Sequence, residues 1–167
     1  GLDGKPVGFD VEIAKIVAAK LGIPADKITY TETPSKIRED VIANNQVDMV
    51  VATYTINDAR KQKVSFAGPY YVAGQDLMVK ADNTTITGPD TLKAANARVC
   101  SVSGSTPAKN IAKYVDAGNI VLFDVYSKCA DALRNGQVEA VTTDNVILSG
   151  LVSTSQGAFK LVGKSFT

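Results

Sequence analysis

The chain lacks histidine and tryptophan altogether and has only two cysteines among its 167 residues. Without histidine, the Ser-His-Asp and Cys-His nucleophile systems and every His-ligated zinc site are excluded. Cys100 and Cys129 are too far apart in sequence for a CxxC redox pair or a zinc ligand pair. The two cysteines therefore form either one disulfide, which indicates an oxidising compartment, or two separately buried thiols.

An excess of charge of one sign and a long apolar run are also missing. The 18 basic and 17 acidic residues are interspersed and give a formal net charge of +1, so a nucleic-acid partner is not expected. No apolar run reaches the roughly 18 residues that span a bilayer. The hydrophobic content of 45% is nevertheless enough for a core in one domain or in two small lobes.

Strand and helix patterns alternate along almost the whole chain, which predicts α/β sheets with parallel strands. The loop at residues 81–90 is rich in Asn, Thr, Gly and Pro and is the best internal boundary. Helices are predicted at residues 9–21, from Pro34 to Asn44, from Thr106 as N-cap, at 127–135 with Ser127 as cap, and at 145–152; strands are predicted at residues 28–32, 47–52, 63–68, 75–80, 97–102, 119–124, 138–143 and 159–163.

Two segments of the chain resemble each other. QVDMVVAT (46–53) and QVEAVTTD (137–144) share Gln, Val, an acid and a second Val at matching offsets. If the match is not chance, the chain holds two similarly built lobes, and Thr53 and Asp144 occupy equivalent positions. Both follow a predicted strand, at the carboxyl end where open α/β sheets bind their ligands.

The residues at these strand ends complement an α-amino acid. Thr53 and Thr55 offer hydroxyl groups, and Arg60 offers a planar fork that pairs bidentately with a carboxylate. Ser103–Thr106 precedes a predicted helix whose free N–H groups suit an anion, and Asp144 suits an ammonium group. The structural alternatives are that Arg60 is a surface charge, that Asp144 caps a helix, and that Ser103–Thr106 is only a turn.

Four segments together resemble a known family. The Thr-Ile-x-x-x-Arg spacing that begins at Thr55, followed by Phe-x-x-Pro-Tyr-Tyr from Phe66, is specific to it. The chain resembles the type 3 extracytoplasmic solute-binding proteins, the polar amino-acid receptors of ABC importers, and is most similar to their glutamate-binding branch. The matching segments are residues 8–22, 44–79, 101–110 and 136–148.

The resemblance implies roles for residues of a first lobe. Thr53 contributes through its backbone, Thr55 through its hydroxyl and N–H, and Arg60 clamps the α-carboxylate of the ligand. Tyr54 lies at the cleft and packs on the aliphatic part of the ligand.

It also implies a matching set in a second lobe. Ser105 and Thr106 bind the same carboxylate, and Asp144 binds the α-ammonium group, with Thr143 beside it. No catalytic residue and no metal ligand is implied.

The resemblance further implies a two-lobed periplasmic-binding-protein-like fold, with a mostly parallel sheet flanked by helices in each lobe. Lobe 1 comprises residues 1–81, with residues 165–167 returning to it, and lobe 2 comprises residues 82–164. The family's first strand and the C-terminal part of lobe 1 are absent from the sequence, so lobe 1 is expected to be incomplete. Hinge closure at the two crossings is the expected mechanism, and a disulfide between Cys100 and Cys129 is implied within lobe 2.

The implied function is an extracytoplasmic receptor for an amino acid, glutamate first and then aspartate, glutamine or asparagine. Its expected partners are that ligand and an ABC permease, without nucleic acid or cofactor. It is expected in the periplasm or at the outer face of the cell membrane, held by a lipid anchor outside this chain. The alternatives are the ligand-sensing domain of a membrane receptor and a dehydratase-type enzyme on the same scaffold.

Overall fold

The computed structural model describes residues 5–167 and contains two compact units, Gly1–Ala67 and Gly68–Thr167. Residues 1–4, which the predicted lobe 1 includes, lie outside the described residues. Among residues 5–167, none of the helices has both the length and the apolar composition that a membrane span requires.

The first unit is built from short helices. Its α-helices are α1 (Phe9–Lys20), α2 (Arg38–Ala43) and α3 (Asp58–Lys61). A single 3₁₀ turn follows Pro34 and leads into α2, as the sequence predicted. At the start of α3, the Asn57 side chain accepts a hydrogen bond of 2.9 Å from the backbone N–H of Arg60, which caps the helix and orients Arg60.

The three strands predicted for the first unit are wrong for the residues described. Residues 28–32, 47–52 and 63–68 contain no strand, although 47–52 is a continuous apolar run. A strand is stable only when it pairs with a neighbour, and no backbone–backbone hydrogen bond joins residues 48–56 to another described residue. The apolar pattern thus indicates a segment that is suited to a sheet. Whether that segment pairs as a strand depends on which neighbouring strands the chain supplies.

Helix α1 is predicted correctly, but its apolar face remains largely exposed. Ile16 on the helix and Leu21 at its C-cap are 57% and 64% exposed, and Ala18 is the one buried residue of the helix. Periodicity therefore identifies the helix without identifying a surface that covers it.

The second unit contains a five-stranded sheet in the order β3-β2-β4-β1-β5. Parallel pairing joins β2 to β3 and to β4, whereas β1 is antiparallel to both β4 and β5. The sheet is therefore mixed, whereas the resemblance implied a mostly parallel sheet. The strands are β1 (Gln75–Lys80), β2 (Val99–Val102), β3 (Ile120–Phe123), β4 (Ala140–Asp144) and β5 (Phe159–Leu161).

The contacts of β1 group it with the second unit. The predicted boundary at residue 81 would have assigned β1, and also residues 165–167, to the first lobe. Phe166 instead donates its backbone N–H to Gln75 at 3.0 Å. A Cβ added at Gly74 would lie 2.9 Å from Cβ of Ser165, so only glycine permits this close approach. The loop at 81–90 follows this paired strand. The lobe bounds, residues 1–81 with 165–167 and residues 82–164, stay a prediction.

Helices cover both faces of this sheet. They are α4 (Thr106–Asn110), α5 (Tyr126–Arg134) and α6 (Asn145–Ser153). Because side chains alternate along a strand, Met78 and Val141 pack with α5 and α6 on one face, and Leu77 and Ala140 pack on the other. The Cys100–Cys129 disulfide joins β2 to α5 in the first of these cores, which confirms the implied pairing.

Candidate functional site

Arg60 is a buried, fully oriented side chain in the first unit. It is 7% exposed, and its Nε donates to Oε1 of Glu39 at 2.9 Å. Its Nη1 donates to the carbonyl oxygen of Thr55, also at 2.9 Å. The structural alternative, a surface charge in ARKQK, is therefore excluded for Arg60, because the helix cap at Asn57 turns this residue inward while Lys61 remains exposed.

The aromatic ring of Tyr54 packs against the Arg60 guanidinium. The Arg60 guanidinium carbon lies 4.7 Å from the centroid of the Tyr54 ring, the corresponding Arg38 carbon lies 5.3 Å away, and Phe66 packs against the same ring. The Tyr54 hydroxyl is buried without a hydrogen bond of standard geometry to any described residue. Its burial and the neighbouring Glu39 carboxylate raise the pKa of the phenol to about 12.

Glu39 is ionised in this environment. Burial alone would raise the pKa of its carboxyl, but a backbone hydrogen bond and the Arg60 guanidinium outweigh burial and hold that pKa below its ordinary value of 4.5. Arg60 and Glu39 therefore form a charged pair in which both side chains are mostly buried, at 9% and 16% exposure.

The two predicted threonines contact this cluster through their backbone. The Thr55 carbonyl accepts from Arg60, and the Thr53 carbonyl accepts from Nη1 of Arg38 at 3.5 Å. The Thr53 hydroxyl donates to Oδ2 of Asp10 at 3.3 Å. The structure thus brings Thr53, Tyr54, Thr55 and Arg60 close to one another.

In the second unit, Asp144 stands at the end of β4 and at the N-cap position of α6. Its side chain makes no capping hydrogen bond, so helix capping does not explain an aspartate there. Thr143 is 1% exposed, and its hydroxyl has no hydrogen-bond partner among the described residues. Alternation along β4 places Thr143 on the face of Val141 and Asp144 on the opposite face, so the two side chains do not lie side by side.

Ser105 and Thr106 begin α4. Ser105, and not Thr106 as predicted, is the N-cap: its hydroxyl accepts from the backbone N–H of Ala108 at 3.1 Å. The reason is that Ser105 has the extended backbone that a cap requires, whereas Thr106 is already helical. Ser105 is buried and its hydroxyl lies 3.5 Å from that of Ser101, and Thr106 is half-buried.

A buried amide connects these elements. Gln75 on β1 is 1% exposed, and its Nε2 donates to the Pro107 carbonyl of α4 at 3.1 Å and to the Thr142 hydroxyl of β4 at 2.9 Å. Its Oε1 accepts from the Asn110 amide at 3.1 Å. The network ties the element that carries Ser105 to the strand that carries Asp144.

The sequence predictions missed Glu39, Arg38 and Gln75. The available signal was that a buried arginine requires a carboxylate, but several acidic residues of the first unit could have served.

Among residues 5–167, no cluster of His, Cys, Asp or Glu is arranged to hold a metal ion. A separate groove of about 300 Å³ beside Lys80 and Glu139 is lined by none of the predicted site residues.

Comparisons with known proteins agree with the resemblance. The model of the bacterial extracellular solute-binding proteins, family 3, matches residues 2–156. The glutamate-binding protein GluB of Corynebacterium efficiens is 37% identical over 174 residues, which cover 99% of this chain and 59% of that protein. The ABC transporter glutamine-binding protein GlnH of Bacillus subtilis is 36% identical over 164 residues, which cover 98% of this chain and 59% of that protein.

The structural comparison points the same way. An ancestral arginine-binding protein bound to glutamine superposes with a TM-score of 0.90 at 32% identity, covering 99% of this chain and 72% of the other. Of the two curated relatives, GluB and GlnH, the chain spans 59% of the length of each.

Proposed function

This chain belongs to family 3 of the bacterial extracellular solute-binding proteins, and we propose that it binds an amino acid, glutamate first, and delivers it to the permease of an ABC importer. The observation that carries the proposal is the buried Arg60, whose guanidinium is oriented by Glu39, by the Thr55 carbonyl and by the Tyr54 ring. A fixed guanidinium suits the bidentate binding of an α-carboxylate.

We propose that residues of both units bind this one ligand. Arg60, Thr55 and Thr53 serve its α-carboxylate, together with Ser105 and Thr106. Asp144 serves the α-ammonium group, and Tyr54 packs nearby. Two observations support this assignment. Thr53, Tyr54, Thr55 and Arg60 lie close to one another in the first unit, and the side chain of Asp144 makes no capping hydrogen bond to α6. Hinge closure around the ligand remains part of the proposal, and no catalytic step is proposed because the relatives are binding proteins.

Glutamine is the second candidate ligand, since a glutamine-binding relative is nearly as similar as the glutamate-binding one. Calorimetric titration of the chain with glutamate, aspartate, glutamine and asparagine separates the two. We expect saturable 1:1 binding that is tightest for glutamate. Tighter binding of glutamine would change the ligand, and the absence of binding to all four would refute the proposal.

We also propose an extracytoplasmic location, with a lipid anchor outside residues 1–167. The disulfide supports an oxidising compartment, and the family is described as extracellular. Mass spectrometry of the native protein from membrane fractions tests the anchor, because an acylated N-terminal cysteine has a characteristic mass. Recovery of an unmodified protein from those fractions would contradict it.

A further inference from the structure

Glu39 contacts Arg60 through the one guanidinium nitrogen that lies on the side-chain stem. The Nε–Oε1 distance is 2.9 Å, and both side chains are mostly buried. The Thr55 carbonyl accepts from Nη1, and the guanidinium carbon lies 4.7 Å from the centroid of the Tyr54 ring. These contacts restrict rotation about the terminal bonds of Arg60.

We infer that Glu39 is the positioning residue of Arg60, which fixes the orientation in which the two Nη groups meet a ligand carboxylate. The inference rests on the proposed function for its consequence in binding. A carboxylate that approaches end-on uses one N–H of each Nη group, and Nη1 carries two N–H groups, of which one serves Thr55. Glu39 and such a ligand therefore use different atoms of the same guanidinium.

The charge of Glu39 matters as much as its geometry. A buried guanidinium without a carboxylate partner is strongly destabilised, because its hydration is lost without replacement. Glu39 compensates this charge from within the first unit, so the burial of Arg60 does not depend on a ligand carboxylate. Binding then requires little further ordering of the long arginine side chain.

Two other roles for Glu39 make different predictions. If the ion pair only stabilises the first unit, its loss should lower stability and leave the affinity of the folded protein unchanged. If Glu39 occupies the fork in competition with the ligand, its loss should raise affinity. Of the three roles, only positioning predicts that the loss of Glu39 both lowers the affinity for the ligand and leaves the Arg60 side chain less ordered.

The test compares Glu39→Gln, which removes the charge at nearly constant shape, with Glu12→Gln. Glu12 is an exposed acid on α1 that pairs with Lys15, so it is a matched control in the same unit. The first measurement needs no ligand: solvent exchange of the Arg60 Nε–H proton, followed by NMR. We expect slow exchange in the wild type, at least tenfold faster exchange in Glu39→Gln, and no change in Glu12→Gln. Fast exchange in the wild type, or no acceleration in Glu39→Gln, would overturn the inference.

The second measurement is calorimetric titration with glutamate at a temperature where thermal melts show each variant fully folded. We expect Glu39→Gln to bind about tenfold more weakly, the loss expected when one charge-assisted contact no longer orders the clamp. Unchanged or tighter binding by the folded variant would overturn positioning. If the exchange result holds and the wild type binds no amino acid, the proposed function fails while the role of Glu39 in orienting Arg60 stands.

Discussion

At the scale of single residues, the central feature is a buried arginine that depends on one acidic partner. Arg60 and Glu39 are held in a setting where either charge alone would be unfavourable. Their contact orders a functional group and satisfies a structural requirement at once. Substitutions of Arg60 should therefore affect both stability and binding, and the two effects can be separated by the choice of replacement.

Arg60→Ala should abolish amino-acid binding and lower the free energy of unfolding by about 3 kcal/mol, because it leaves Glu39 buried without its partner. Arg60→Lys retains the charge but lacks the planar fork, so we expect a folded protein with at least about tenfold weaker binding. Calorimetry and chemical denaturation measure the two quantities. Lys61→Ala is the control, since Lys61 is exposed and pairs with the exposed Asp58 at 3.4 Å. Retained affinity in Arg60→Ala would remove Arg60 from the site.

A second residue-scale prediction concerns the hydroxyl group of Tyr54. The pKa of this phenol is raised to about 12 from an ordinary value of 10.0, so in alkali the unfolded chain loses this proton before the folded protein does. The contribution to stability is therefore complete below about pH 10 and is lost as the pH rises towards about 12.

Tyr54→Phe tests this prediction because it removes the hydroxyl and keeps the ring under Arg60. The substitution should abolish the loss of stability that the wild type shows between about pH 10 and about pH 12, because phenylalanine has no proton to lose. Spectrophotometric titration of the tyrosines should lose the step near pH 12. Tyr71→Phe is the control, because Tyr71 is 53% exposed. A titration that keeps the late step in Tyr54→Phe would contradict the assignment.

The sequence predicted part of this cluster and not the rest. The spacing from Thr55 to Arg60 pointed to Arg60 as a candidate ligand contact, because that spacing lies within one loop and one short helix. Glu39 was out of reach of this reasoning, since its position beside Arg60 depends on tertiary packing of α2. Ser105 replaced Thr106 as a cap for a local reason, a difference of one residue in where helical backbone begins.

At the scale of elements, the side-chain amide of Gln75 links β1, β4 and α4 by hydrogen bonds. Each polar atom of this amide has a partner, and the Thr142 hydroxyl that accepts from Gln75 in turn donates to the Asp76 carbonyl. Such a fully satisfied network favours one arrangement of the three elements over alternatives. It therefore stabilises the positions of Ser105, at the start of α4, and of Asp144, at the end of β4.

Gln75→Leu should lower the free energy of unfolding by about 2 kcal/mol, because it leaves the Pro107 carbonyl and the Asn110 amide without their partner. Amino-acid affinity should also fall, since α4 loses its tether. Gln137→Leu is the matched control, because Gln137 is exposed at the turn after α5. Denaturation curves and calorimetry of both variants test the prediction, and equal effects of the two substitutions would refute it.

At the scale of the whole molecule, the two units differ in how far their sequence determines their sheet. All five strands of the second unit lie where the pattern predicted them, and each has a paired neighbour within this chain. In the first unit, residues 47–52 carry an equally good strand pattern without pairing to a described residue. The similar segments 46–53 and 137–144 thus have different structures, since only the second meets partners in β1 and β2.

This difference predicts a contrast in hydrogen exchange. Amides of β4 are buried in the sheet and should exchange at least about a hundredfold more slowly than those of residues 48–56, after correction for intrinsic rates. The reason is that exchange at β4 requires opening of a paired strand, whereas residues 48–56 have no backbone–backbone hydrogen bond to another described residue. Mass spectrometry of peptides that cover the two segments measures both in one sample. Protection of residues 48–56 equal to that of β4 would show that this segment pairs after all, and that its strand pattern determines its structure in solution.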